Sequence, residues 1–308
     1  MVDGQGGVCA VPDVEQTAEL VRDTARGLRL TSAGFRLLRV GNHVVLGSLD
    51  NKVVARVAYT NRRPLEYHAG HQHLVEQLAA AGAPFVAPLC APCRLSDGRV
   101  VTFWPMHSPA EHVSLEALVE LVSRCHRIEA TGELTVWDPS VSYLTRWAER
   151  LPLMTARGVP ADVRAFLEEL LHSRVEALSD CWTILSGEAH TQVLIHGDPW
   201  PTNVVRRDNG TLALVDLDFV GIGPPEADLS AVRLQYRRHD QEPRVVDRIV
   251  AAYDGEVDEQ LLARVYATDE AIELVWLACL WGVVPAADTE LMRRLDNWDD
   301  PSVPWLPF

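Results

Sequence analysis

The sequence predicts an α+β protein with two lobes, a small antiparallel sheet followed by a larger, mainly helical part. Three observations lead to this prediction. The chain has 308 residues, which is long for one compact core. Three short apolar segments with tight turns fill residues 35–59, and helical periodicity dominates after Leu115. We expect residues 1–105 to form the first lobe and residues 106–308 the second.

The first lobe is predicted to start with a helix and to continue as a sheet. Leu20, Val21 and Leu28 recur at helical intervals near the N-terminus. Three apolar segments follow this helix. The turn residues Gly41 and Asn42 separate the first two of these segments. The predicted strands are Phe35–Val40, His43–Leu49, Val53–Tyr59, Phe85–Pro88 and Val100–Trp104, and a helix ends over Leu74–Gly82 before the fourth of them.

The second lobe is predicted to be a group of helices around the motif described below. The segments with the strongest helical pattern are Leu115–Ile128, Val163–Leu185, Arg244–Tyr253 and Gln260–Leu280. The apolar stretch over residues 271–287 is shorter than the roughly 20 residues of a membrane-spanning helix. We interpret it as one buried helix.

Composition limits the class of protein. The formal charge of −15 argues against a nucleic-acid partner, because such a protein needs a basic face. The same charge permits a cationic ligand. Six scattered cysteines predict free thiols in a reducing compartment, and Cys90 and Cys93 lack the further ligands of a zinc site. The N-terminus shows no signal peptide, so we expect a cytoplasmic protein without a membrane partner, either a monomer or a homodimer.

The segment over residues 193–219 carries the chemistry. Asp198 lies five residues before Asn203, the acid-to-amide spacing of the protein-kinase catalytic loop. Two apolar runs, Val204–Arg207 and Thr211–Val215, flank an Asn-Gly step that is typical of a two-residue hairpin turn. The hairpin would return Asp216 to the neighbourhood of Asn203.

This arrangement predicts phosphoryl transfer. Asn203 and Asp216 together offer an amide oxygen and a carboxylate, which suit Mg²⁺. Asp198 would then orient an acceptor hydroxyl and take its proton. A surface hairpin flanked by solvated acids is the competing interpretation, and the agreement of spacing, turn and strands favours the kinase.

At these residues the sequence resembles the aminoglycoside phosphotransferase and choline kinase-like family, whose members share a protein-kinase-like fold and an HGDxxxxN loop. The resemblance implies that Asp198 is the catalytic base and that Asn203 and Asp216 bind Mg²⁺. It also implies that His196 supports the loop and that Asp228 buttresses it. Asp218 would share a strand face with Asp216 and is either a supporting or second metal ligand, or a solvated acid.

In such a family the first lobe covers ATP, and GTP stays open as the donor. Gly41, Asn42 and His43 form a short turn whose N–H groups could meet phosphate oxygens. The usual lysine of the third strand is absent, because the only lysine is Lys52. Arg56 occupies the matching strand position, and we predict that it binds phosphate with Lys52 on the same face.

Two further features of the nucleotide site are predicted, an acidic partner for the phosphate-binding cation and the contacts to adenine. The acid that pairs with the phosphate-binding cation is either Glu66 or Glu76. Backbone groups of Trp104 and Met106 would bind adenine where the two lobes join, although the same run also fits an ordinary buried strand end.

The predicted function is ATP- and Mg²⁺-dependent phosphorylation of a hydroxyl group on a small molecule. Trp200, Glu273 and Trp276 are the predicted acceptor contacts, because aromatic and acidic groups suit a cationic or sugar-like ligand. An antibiotic of the aminoglycoside or nucleoside type is the first expectation, which would make the protein a resistance enzyme. A metabolic kinase for choline, a sugar or an amino alcohol is the second, and a non-catalytic nucleotide-binding protein is the third.

Overall fold

The computed structural model describes residues 13–40, 43–58, 64–129, 134–186 and 191–306. It confirms the α+β class, with an antiparallel sheet near the N-terminus and helices in most of the remainder. The chain forms two compact units. One combines residues 1–110 with 204–215, and the other combines residues 111–203 with 216–308.

The described elements agree with the predicted ones in most places. The helices are α1 (Val14–Gly27), α2 (Leu65–Ala80), α3 (Leu115–His126), α4 (Pro139–Ala156), α5 (Ala161–Ser186), α6 (Glu226–Leu234), α7 (Val245–Ala252), α8 (Glu259–Ala278) and α9 (Pro285–Asp296). The strands are β1 (Phe35–Val40), β2 (His43–Ser48), β3 (Val53–Ala58), β4 (Cys93–Arg94), β5 (Val100–Pro105), β6 (Ser108–Pro109), β7 (Val193–Ile195), β8 (Val204–Arg206), β9 (Leu212–Leu214) and β10 (Gly221–Gly223).

The main sheet of the first unit has the strand order β1, β2, β3, β5, β4, and all its described pairings are antiparallel. Alternate residues of β3 are buried, which is the period expected of a strand with one face on a core. Helix α1 begins after Asp13, whose carboxylate accepts from two N–H groups of the first turn. Its Val21 and Ala25 pack into the same core as the sheet residues Val44 and Val57.

The predicted strand over Phe85–Pro88 is wrong. Phe85 makes a single bridge with Leu214, flanked by hydrogen bonds from Leu214 N–H to the Pro84 carbonyl and from Val86 N–H to the Leu214 carbonyl. Proline has no N–H, so Pro84 and Pro88 cannot donate to a longer ladder.

The hairpin after the motif forms as predicted, but the turn type differs. Arg207 N–H donates to the Thr211 carbonyl at 2.9 Å, which encloses three residues instead of two. Gly210 takes the left-handed position with φ +82°, whereas Asn209 is not among the positive-φ residues. A three-residue loop that ends on a left-handed glycine is the next most common hairpin connection.

The second unit is mainly helical, and its largest core lies among α4, α5, α8 and α9. The prediction of one helix over residues 271–287 is wrong, because α8 ends at Ala278 and α9 begins at Pro285. Gly282 between them has φ +70°, a conformation that other residues rarely adopt. Within the described part of the chain, no helix is long and apolar enough to cross a bilayer.

Candidate active site

The loop between β7 and the short 3₁₀ helix over residues 201–203 turns sharply at Gly197. Gly197 has φ +79°, and a Cβ atom there would lie 2.5 Å from the Phe219 carbonyl oxygen. Only glycine combines this backbone angle with such a close approach. The glycine of the HGD motif therefore allows residues 197 and 219 to pack together at the start of the loop.

Asp228 anchors the same loop from α6. Its two carboxylate oxygens accept the backbone N–H groups of His196 at 2.8 Å and Gly197 at 2.7 Å, and His126 Nε2 lies 3.1 Å away. Burial raises the pKa of Asp228, but the hydrogen bond and charge of His126, with further contributions from His196, hold it below its ordinary value. Asp228 is thus a buried carboxylate that fixes the loop backbone.

The His196 side chain is completely buried and serves the same loop. Its Nδ1 accepts the backbone N–H of Asp198 at 3.2 Å. The contact fixes the backbone at Asp198, and the supporting role that the resemblance implied for His196 stays a prediction.

Asp198 is held by two side-chain donors. Trp200 Nε1 donates to its Oδ1 at 3.0 Å, and Asn203 Nδ2 lies 3.3 Å from its Oδ2. Burial raises the pKa of Asp198, the Arg146 guanidinium opposes this, and the Asp216 charge raises the pKa further. A fixed carboxylate with a raised pKa is suited to accept a proton from a substrate.

Asn203 and Asp216 present the predicted metal ligands. Asn203 Nδ2 also donates to the Asp198 carbonyl at 3.0 Å, so the amide oxygen is the atom left to face a cation. Asp216 has φ +67°, a left-handed angle that Asp tolerates better than most residues. An amide oxygen and a carboxylate, completed by nucleotide phosphates, fit Mg²⁺. No cluster of three or more His, Cys, Asp or Glu suited to a metal occurs among the described residues.

Asp218 does not lie in a strand. Strand β9 ends at Leu214, and residues 215–219 have no strand pairing, so the expected sharing of a strand face with Asp216 does not hold. Asp218 is half-buried. Its role as a supporting or second metal ligand stays a prediction.

The first unit contains the predicted phosphate-binding residues. Arg56 lies in β3 opposite Val45 and Thr102, and its Nη2 is 3.2 Å from His43 Nδ1. Lys52 is exposed in the turn before β3. The predicted turn residues Gly41 and Asn42 lie outside the described residues.

The predicted adenine contacts lie at the end of β5. Trp104 pairs with Val54 of β3, and its indole N–H donates to Thr102 Oγ1 at 2.9 Å. Met106 N–H donates to the Lys52 carbonyl at 2.9 Å. The predicted role of Trp104 and Met106 in adenine binding stays a prediction.

Both predicted acidic partners, Glu66 and Glu76, are exposed on α2, and Glu76 lies 3.9 Å from His73. The buried polar residue of α2 is Gln72, which is 3% exposed. Neither polar atom of its amide has a hydrogen-bond partner among the residues that the structure describes. No pattern in the sequence pointed to Gln72, because a glutamine within a helix normally faces solvent.

The predicted acceptor residues belong to the second unit. Trp200 uses its indole N–H on Asp198, and its ring meets His239 edge to face at 6.2 Å. Glu273 lies 3.8 Å from Arg294 Nη1, and Trp276 is half-buried against the helical core. The structure therefore shows Trp200 in contact with Asp198, and its contact with an acceptor stays a prediction.

Arg146, Asp269 and His126 are site residues that the sequence did not indicate. Arg146 lies 4.0 Å over the Phe219 ring, and Asp269 accepts from Tyr143 Oη at 2.7 Å. Arg146 and His126 come from α4 and α3, far from the motif in sequence. Helix α4 was not predicted, although its buried residues Tyr143 and Trp147 recur at a helical spacing of four.

The fold and part of the sequence match known proteins. The family model described as "Phosphotransferase enzyme family" matches residues 44–267. No curated protein matches the chain. Among solved structures, aminoglycoside phosphotransferase APH(3'')-Id from Streptomyces rimosus is 16% identical with a TM-score of 0.58, and the alignment covers 88% of this chain and 99% of that one.

Two other solved structures are small-molecule kinases. Choline kinase LicA from Streptococcus pneumoniae, in complex with AMP, is 12% identical with a TM-score of 0.62, covering 92% of this chain and 99% of LicA. A microcompartment-associated aminopropanol kinase is 16% identical with a TM-score of 0.56, covering 93% of this chain and all of that one (100%). At these identities the structures show the common protein-kinase-like fold.

The family match extends over most of the chain, from β2 into α8, and includes the whole HGDxxxxN loop. It confirms the family and the small-molecule kinase class predicted from the sequence. This chain therefore belongs to the phosphotransferase enzyme family.

Proposed function

We propose that this enzyme is an ATP- and Mg²⁺-dependent O-phosphotransferase that phosphorylates a hydroxyl group of a small molecule. The observation that carries the proposal is the carboxylate of Asp198, which Trp200 and Asn203 hold on a loop anchored by Asp228. The AMP complex of the related LicA supports an adenine nucleotide as the donor.

The proposed reaction uses Asp198 as the base. Asp198 accepts the proton of the acceptor hydroxyl while the hydroxyl oxygen attacks the γ-phosphorus of ATP. The bond from the γ-phosphorus to the bridging oxygen breaks, ADP leaves, and the acceptor becomes a phosphate monoester. Mg²⁺, bound by the oxygens of Asn203 and Asp216, would neutralise charge on the phosphates.

In our proposal a cationic group on the acceptor is favoured, because Asp269 and Glu273 of α8 lie close enough to Asp198 for their charges to interact. A hydroxylated antibiotic of the aminoglycoside or nucleoside type is the first candidate. Phosphorylation would add charge and bulk to such a drug and confer resistance. A metabolic kinase for choline, a sugar or an amino alcohol is the second candidate, and Arg146 near the base favours it because a cation repels a polycationic drug.

We propose that the enzyme is cytoplasmic and is a monomer or a homodimer. All the cysteines that the structure describes are free, which suits a reducing compartment.

The test is phosphorylation of a pooled panel of hydroxyl-bearing antibiotics and metabolites with ATP and Mg²⁺, followed by mass spectrometry. Asp198→Asn should lower turnover by about two to four orders of magnitude and leave ATP binding intact. Asp208→Asn, the same change on the exposed hairpin turn, is the matched control. ATP binding without any phosphorylated product would support a non-catalytic nucleotide-binding protein instead.

A further inference from the structure

Two charged rows lie on neighbouring helices of the second unit. Arg146 and Arg150 are four residues apart on α4, and Asp269 and Glu273 have the same spacing on α8. Side chains four residues apart lie on one face of a helix. Helix α4 packs against α8. A cationic row on α4 and an anionic row on α8 therefore lie on adjacent helices.

Neither arginine of the cationic row forms a direct ion pair with the residues that the structure describes. Among the described residues, neither Arg146 nor Arg150 has a carboxylate oxygen within 4.0 Å or makes a hydrogen bond. Arg146 instead lies over the Phe219 ring at 4.0 Å, and its buried Nε has no hydrogen-bond partner in that part of the chain. Both arginines are half-buried, and a partly desolvated guanidinium without a direct ion pair gains from an anionic ligand that contacts it.

The charges around Arg150 also show interactions with nearby carboxylates in place of a direct ion pair. Burial lowers the pKa of Arg150 and the Arg146 charge lowers it further, whereas Cys279, Glu273 and Asp198 raise it. Arg150 is therefore close enough to Glu273 and to the base for their charges to interact, without forming an ion pair with either.

The anionic row is also poorly solvated. Burial raises the pKa of Asp269 to about 6 and that of Glu273 to about 7. Arg146 lowers the pKa of Asp269, and Arg294 and Arg150 lower that of Glu273, while the Asp198 charge raises both. Bringing an ammonium group next to these carboxylates would favour their charged forms.

We infer that the acceptor is a zwitterion, whose anionic group binds Arg150 and Arg146 and whose ammonium group binds Glu273 and Asp269 while its hydroxyl faces Asp198. This inference rests on the proposed function, because it concerns the acceptor of the same reaction. It points to a hydroxylated amino acid, or to an antibiotic built on one, rather than to a polycation. Either source has the same charged groups.

The first measurement is binding and uses three compounds that differ only in charge. L-homoserine carries a hydroxyl, an ammonium and a carboxylate, 3-amino-1-propanol lacks the carboxylate, and 4-hydroxybutanoate lacks the ammonium. In titration calorimetry of the full-length protein, we expect L-homoserine to bind at least about tenfold more tightly than either analogue, the range of one charge-assisted hydrogen bond. Equal affinities, or no binding by any of the three, would overturn the inference.

The second measurement uses variants of Arg150. Arg150→Gln should remove the preference for L-homoserine over 3-amino-1-propanol, and Arg150→Lys should restore part of it. Arg244→Gln, which removes a charge from an exposed ion pair with Asp247, is the matched control. Circular dichroism and melting temperature establish that each variant folds. A preference unchanged in Arg150→Gln would overturn the assignment.

Phosphorylation of hydroxyl-bearing antibiotics and metabolites, sorted into zwitterions and polycations, separates this inference from the proposed function. A phosphorylated zwitterion supports both the zwitterion inference and the proposed function. The identity of that compound shows whether the acceptor is an amino acid or an antibiotic. Product from polycations alone supports the proposed function and overturns the zwitterion. A zwitterion preference in binding without product from any compound would keep the inference and overturn the proposed function.

Discussion

Replacing Asp228 by Asn tests whether this buried carboxylate holds the catalytic loop. Asn keeps one oxygen, which can still accept from His196 N–H beside His126 Nε2, but its other atom becomes an N–H donor that faces the N–H of Gly197. One charge-assisted hydrogen bond is lost, worth about 1.5–3 kcal/mol, and those that remain are weakened by roughly half. We expect the free energy of unfolding to fall by about 3 kcal/mol and turnover to fall as the loop moves.

The assay is denaturant unfolding followed by tryptophan fluorescence, combined with kinetics. Asp254→Asn is the matched control, because its carboxylate is 77% exposed in an ion pair with Arg127 and its loss should cost less than about 1 kcal/mol. If Asp228→Asn lowers the free energy of unfolding no more than the control does, the proposed support of the loop by Asp228 is refuted.

The pH dependence gives a second test of Asp228. Because its folded pKa lies below the ordinary value of 3.8, its contribution to stability is complete above that value and is lost as the pH falls through the lower folded pKa. The stability difference between wild type and Asp228→Asn should therefore narrow in acid. A difference that stays constant down to the acid limit of the experiment would contradict the assigned role.

Four other changes give distinct outcomes. Gly197→Ala should cost about 1–2 kcal/mol for the left-handed backbone alone and lower kcat about 10- to 100-fold, whereas Gly70→Ala within α2, which meets no atom within 4 Å, should be neutral or stabilising. Glu273 has a pKa of about 7, above its ordinary 4.5, so wild-type stability should fall as the pH rises from 4.5 through 7, and Glu273→Gln should reduce that fall. Gln72→Leu should raise the free energy of unfolding by about 1 kcal/mol, because two buried polar atoms lose their desolvation cost. Arg56→Ala should raise the KM for ATP.

Each of these has a contrary result. Equal kcat for Gly197→Ala and Gly70→Ala would contradict the need for glycine at position 197. An unchanged pH profile of stability in Glu273→Gln would mean that the Glu273 carboxyl of the wild type has an ordinary pKa. Destabilisation by Gln72→Leu would show that the amide has a partner such as water. An unaffected KM for ATP in Arg56→Ala would make Lys52 the candidate for the phosphate contact.

Local features of the sequence predicted much of the fold. Strand β1 has the predicted bounds, because tight turns and apolar segments act over a few residues. Errors arose where a neighbour in space decided the outcome. Phe85 resembles a strand residue locally, but the prolines beside it limit its pairing with Leu214 to one bridge.

The sequence by itself determined the family, the mixed fold and the acids of the HGDxxxxN loop, because a motif is read along a continuous chain. Only the tertiary structure placed His126 against Asp228, Trp200 against Asp198 and α4, with its two arginines, against α8 with its acids. The physical reason is that periodicity fixes which face of a helix is apolar, but not which helix will cover it. The charges around Asp198 come from segments distant in sequence, and packing alone brings them together.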